Sequence, residues 1–295
     1  MRIALIAVIC VSPLACSSGS DPLGPLTFSA QNAEQVAAEI AGADEMLAGM
    51  SDLVDNMAEM LDNPSAQVVF CDSGNVELNL TDLEPLDELS AGDTAEIDFR
   101  GCVIELGEDF TMTLNGMLRI EAIVVSGDEE SGVHDVQMRA DFTNLSVMLG
   151  GAVVSLNGVF CLESSRADGV IVTQVIRGDY FSVFASGGGE VYSGTLRDFR
   201  HERTIDTESG DYALSASATA SGSRLGGVVT YETTTPFTGT DDDYPDSGEI
   251  VYTGARGGTV TVIALNDVDV EIQVDFDGDK STDLTLNTTW DDLTD

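Results

Sequence analysis

From about residue 67 onward, apolar and polar residues alternate in long runs, and this period of two constrains the fold more than any other feature. In the stretch 111–125, Met112, Leu114, Leu118, Ile120, Ala122 and Val124 fall on one side. Thr111, Thr113, Asn115, Arg119 and Glu121 fall on the other. Successive side chains of a strand point to opposite faces, so such a run is a strand with one buried and one wet face. The stretch 211–220 repeats the device with Tyr212, Leu214, Ala216, Ala218 and Ala220. Clusters rich in Gly, Asp and Ser at 106–109, 126–132, 164–169, 185–190 and 206–211 punctuate the runs with hairpin-turn chemistry. The pattern predicts about a dozen strands joined in sequence. The expected fold class is mainly β: a long-stranded antiparallel meander forming a curved sheet or a soluble barrel. Gly116, Gly158, Gly194 and Gly254 each follow an apolar and a small polar residue inside a strand. Glycines at such places mark bulges where a sheet curls.

Before the strands comes one segment of helical period. Val36, Ile40, Ala43, Leu47, Met50, Val54, Met57 and Leu61 recur at steps of four and three, which draws an apolar stripe along one helix face. Ser29 or Asn32 can cap its start, and Asn63-Pro64 stops it. The spacing predicts one amphipathic α-helix over 29–63, packed on the sheet of a β-rich domain over 66–295, with helix and sheet forming one folded unit.

The chain of 295 residues carries 52 acidic against 12 basic residues, a net charge of −40. Such a surface repels phosphate backbones, which sets nucleic acid aside as a partner. It also repels anionic lipid headgroups. Hydrophobic content of 43% is enough for a core, so the acidity belongs to a folded surface rather than to a disordered tail.

Residues 3–11 are continuously apolar behind Arg2. The run is shorter than the roughly 20 residues a membrane-spanning helix needs, and it fits the core of a secretory signal peptide over 1–15. Pro13-Leu14-Ala15-Cys16 follows, and then a polar stretch beginning Ser-Ser-Gly-Ser. This leader resembles those of the bacterial lipoproteins, whose cleavage motif ends in Ala or Gly and then Cys. Ala15 and Cys16 match that motif, while Leu14 stands one place later than usual. The resemblance implies that Cys16 becomes the acylated N-terminus, that palmitate and related chains anchor the protein, and that Ser17 directs it to the outer membrane. Residues 16–28 would then be a lipidated flexible tether. The alternative is a plain secreted protein cut near Ala15.

Export exposes the chain to an oxidising compartment, where thiols pair. Cys71 and Cys102 sit in neighbouring extended segments and are the expected disulfide, leaving Cys161 as a strand thiol. Two constellations could hold ligands. Asp275, Asp277, Asp279 and Asp283 stand at loop positions 1, 3, 5 and 9, the alternation of hard oxygen donors with which a tight loop wraps Ca2+. Lys280 stands where such loops carry Gly, and Gly278 offers the turn one place early. An acidic hairpin turn is the competing account. A second acidic loop holds Asp241, Asp242, Asp243 and Asp246. Arg197, His201 and Arg203 share one face by strand alternation, a basic group able to contact an anionic ligand or to pair with nearby carboxylates.

The chain has no Gly-x-Ser-x-Gly elbow and no His-Glu-x-x-His motif, and its only histidines are His134 and His201. The sequence therefore points away from an enzyme. It leaves three readings: an outer-membrane-anchored envelope scaffold or binding module with a protein partner, a carrier of a lipid or other apolar ligand, and a calcium-assisted hydrolase.

Overall fold

The computed structural model describes residues 24–38, 71–81, 90–107, 110–128, 133–149, 151–167, 170–240 and 243–294. Within them the chain forms one 13-stranded sheet in which each strand bonds to its neighbours in sequence, an antiparallel meander. Its strands are β1 (Ser73–Thr81), β2 (Thr94–Gly107), β3 (Phe110–Asp128), β4 (Val133–Leu149), β5 (Ala152–Ala167), β6 (Ile171–Gly187) and β7 (Glu190–Asp206). They continue with β8 (Asp211–Gly222), β9 (Val228–Thr240), β10 (Ser247–Thr253), β11 (Thr259–Ala264), β12 (Asp269–Asp275) and β13 (Leu284–Thr289). Helix α1 is described over 33–38, and a five-residue α2 (Trp290–Thr294) follows the last strand. The sheet is not closed: β1 and β13 are its two ends, so the open sheet rather than the closed barrel is the form adopted. Cys16, the leader, the stripe of the helix from Ile40 to Leu61, and Asp241 and Asp242 lie outside the described residues.

The strands divide within β7 into two compact units. The first runs from β1 to Arg200. Its buried face gathers Ile97, Leu118, Ile120, Met138, Leu162 and Phe199 around three rings on adjacent strands. Phe142 stacks on Phe160 at 5.4 Å, and Phe181 meets both edge-on at 5.8 and 6.3 Å. The opposite face is wet and carries ion pairs, Arg100 with Glu77 across to β1 and with Asp98 on its own strand, and Arg177 with Glu163 of β5. Exposed pairs of this kind contribute about 0–1 kcal/mol each, so the ring cluster, not the charge ladder, holds this unit. A disulfide joins Cys71 to Cys102, closing β1 onto β2 at one end, while Cys161 stays free.

Bulges explain where strict alternation fails. The register of β3 with β4 shifts between Asn115 and Met117 and again between Ala122 and Val124. After the second shift Val124 is exposed, although alternation placed it inward with Ala122. Gly116 sits at the first shift with φ of 98°, and a Cβ there would stand 2.1 Å from the Asn144 carbonyl oxygen. Only glycine tolerates both the backbone angle and the close approach.

The second unit comprises β7 from His201, β8 to β13, α2 and the N-terminal segment. Its core mixes aliphatic residues, Ala216, Ala218 and Ala220 of β8, Val260 and Val262 of β11, and Val270, Ile272 and Val274 of β12, with buried rings such as Tyr231 and Tyr252. This sheet curls strongly. Four strand steps separate β9 from β13, about 19 Å if the sheet were flat. Yet Trp290, just past β13, packs on Phe237 of β9 at 6.0 Å and on Tyr244 at 6.0 Å. Its indole N–H donates to the Pro245 carbonyl at 3.1 Å. The curl is drawn together from the other side by α1. Gln35 donates to the Arg224 carbonyl before β9, while the adjacent Glu34 accepts from Thr288 of β13.

The tether is shorter than the sequence suggests. Pro25 bridges Val228 in parallel, Leu26 N–H donates to the Val228 carbonyl at 2.8 Å, and Ala255 N–H donates to the Leu26 carbonyl at 2.6 Å. Leu26 and Phe28 are buried. Two apolar side chains within the expected tether supply the reason it docks. Gly254 makes room for it, since a Cβ there would meet the Leu26 carbonyl oxygen at 2.3 Å.

Candidate metal centre

The loop 276–283 joins β12 to β13 in the second unit. Asp275 ends β12 and is buried directly after Val274, where the alternation of core-facing residues along the strand stops. Its Oδ1 accepts from the backbone N–H of Asp277 at 3.1 Å and Gly278 at 2.7 Å, and its Oδ2 from Lys280 N–H at 2.8 Å. Burial opposes ionisation of this carboxyl. The backbone N–H groups of Gly278, Lys280, Asp277 and Asp279 together outweigh burial, and Asp275 titrates below its ordinary value. Asp283 closes the loop: its Oδ2 accepts from Phe276 N–H, and its own N–H donates to the Val274 carbonyl, each at 2.8 Å.

Carboxylate oxygens of Asp275, Asp277 and Asp283 lie within 4.8 Å of one another. A Ca2+ ion binds oxygen at about 2.3–2.6 Å, so two of its ligands stand at most about 5 Å apart. These three residues could hold a metal ion. Asp279 is not in the group: its Oδ1 accepts from Ser281 N–H at 2.8 Å and Ser281 hydroxyl at 2.6 Å. The fold thus brings together three of the four aspartates that the spacing singled out. Gly278 and Lys280 both take left-handed conformations, with φ of 81° and 72°. The turn therefore uses the glycine that stands one place early, and the lysine as well. The second acidic loop spends its described carboxylates on turn bonds. Asp243 accepts from the Thr240 hydroxyl at 2.9 Å and Asp246 from the Thr238 hydroxyl at 3.1 Å.

The basic trio of β7 is not presented together. Asp198, with φ of 49°, interrupts the alternation between Arg197 and His201. Arg197 is exposed and lies over the Tyr180 ring at 5.3 Å. His201 is buried in the core of the second unit. Arg203 lies over the Tyr212 ring at 5.5 Å. Burial first, and the nearby Arg203 charge second, push the His201 imidazole from 6.5 down to about 4. A neutral core histidine is a packing residue and a poor anion contact.

Sequence reasoning gave no special place to Cys161. On β5 it stands directly opposite Arg139 of β4 and Arg177 of β6. Only the strand register reveals that arrangement. No family model, curated protein or solved structure matches this chain.

Proposed function

We propose that this protein is an outer-membrane-anchored lipoprotein whose folded part is a non-catalytic envelope scaffold or binding module. The observation that carries the anchoring is Leu14-Ala15-Cys16 behind a short apolar leader. Tether length agrees with it. The first backbone bond of the described chain is made by the Gly24 carbonyl, which accepts from Val228 N–H at 3.0 Å. Eight residue steps from Cys16 reach at most about 28 Å, so an acyl anchor there keeps the domain close to the bilayer. A disulfide and a cation loop are stabilising devices suited to the cell exterior. In this reading Asp275, Asp277 and Asp283 take Ca2+ in a structural role, clamping β12 to β13. Ala216, Ala218 and Ala220 are buried, which favours a packed module over a carrier that keeps space for a ligand.

Metabolic labelling with an alkyne-tagged palmitate tests the anchor. The wild-type chain should take the label and Cys16→Ala should not; an unlabelled wild type overturns the lipoprotein reading. Calcium is tested by melting. Ca2+ should raise the melting temperature of the wild type and leave Asp277→Asn unmoved, and a wild type indifferent to Ca2+ removes the ion from the account.

A further inference from the structure

The first unit has one region where the acidity of the chain stops. Residues 142–162 contain no charged residue, and 180–196 contain only Glu190. These stretches form the β4–β5 hairpin end and the β6–β7 hairpin end, side by side in the sheet. On the wet face there, Met148 stands opposite Val153, and Val153 opposite Ser186. Phe184 stands opposite Ser155, one alternation from Val153. Met148 is 44%, Phe184 43% and Val191 62% exposed. All three lie near hairpin tips that carry glycine, Gly151 and Gly188-Gly189. An apolar end whose two hairpins carry a single acidic residue, Glu190, on a chain of net charge −40 is a departure that solubility does not require.

We infer that the two hairpin ends, β4–β5 and β6–β7, dip into the surface of a neutral lipid bilayer and set the orientation of the domain on it. Three arguments select a bilayer over a second copy of the chain. Three half-exposed side chains offer on the order of 300 Å2, well short of the roughly 800 Å2 that each partner gives to a stable protein interface. Two copies would also bring together two surfaces of the same strong charge, whereas a zwitterionic bilayer opposes neither. The apolar side chains sit at tips, which can enter a headgroup layer while the rest of the sheet stays in water. Arg197 and Asp179 bound the region on the side away from the tips. This contact is separate from the acyl anchor and stands or falls on its own.

Hydrogen exchange on the full chain, with and without phosphatidylcholine vesicles, tests it. Amides of 145–156 and 181–193 should gain protection when vesicles are added, and less when a third of the lipid is phosphatidylglycerol. A variant carrying Met148→Ser, Phe184→Ser and Val191→Ser should lose that protection. With the anchor disabled by Cys16→Ser, the same three changes should weaken vesicle binding on the order of a hundredfold, the weight of half-burying three apolar side chains. Retention of the Cys71–Cys102 disulfide and of the melting temperature shows that the variant is folded. Vesicle attachment without protection of these hairpins overturns the inference and leaves the anchor standing. Protection that instead grows with protein concentration in the absence of lipid overturns it in favour of self-association.

Discussion

His201 makes the stability of the second unit depend on pH in a window that can be isolated. Its imidazole titrates near 4 in the folded protein against 6.5 when free. Between those values the unfolded chain binds a proton that the folded chain refuses, so stability falls as pH falls. The stabilisation is complete above 6.5 and gone below 4. For a single site with these two constants, the loss between pH 7 and pH 4.5 is about 2–3 kcal/mol. The 52 carboxylates act in the opposite sense over part of this range, because protonating them relieves self-repulsion. A comparison with His201→Gln removes that background. Glutamine does not titrate, and whatever its packing costs is the same at every pH. Urea denaturation at pH 7 and pH 4.5 should therefore show wild type losing about 2–3 kcal/mol more than His201→Gln. Parallel losses in the two proteins refute the claim that His201 is held neutral in the core.

Three further perturbations follow from the packing. Cys102→Ser opens a loop whose ends are 31 residues apart, and it should cost about 3–4 kcal/mol by urea denaturation, with wild type matching it under reducing conditions. Gly116→Ala places a Cβ against the Asn144 carbonyl at a φ of 98°; a loss of about 2–3 kcal/mol is expected, against about 1 kcal/mol for Gly151→Ala, which shares the left-handed angle (φ 89°) but whose Cβ meets nothing. Phe160→Ala removes a ring that stacks on Phe142 and meets Phe181; calorimetry should register about 3–5 kcal/mol, and a loss below about 1 kcal/mol would mean the three rings are not the core of the first unit.

The meander was legible in the sequence because strand alternation is local. A period of two places each side chain on a face without knowledge of any neighbour, and turn residues end each run within a few positions. The Cys71–Cys102 pair was legible for a related reason: adjacent strands in a meander are adjacent in sequence, so nearness along the chain stands in for nearness in space. The same holds for the aspartate loop, where spacing alone brought Asp275, Asp277 and Asp283 together.

What the sequence left open depends on contacts between distant segments. Alternation put Val124 inward and Arg197, His201 and Arg203 on one face. A bulge at 122–124 and the left-handed Asp198 undo both expectations, because one extra residue reverses every later side chain. Leu26 and Phe28 leave the expected tether because Val228 and Ala255, more than two hundred positions away, offer a ladder edge and Gly254 leaves room. The sheet stays open, and the second unit curls until Trp290 reaches Phe237. Curvature sums small twists and bulges over many strands, and no single stretch of residues encodes that sum. Local periodicity thus determined which residues form strands, and only the tertiary structure decided which faces meet.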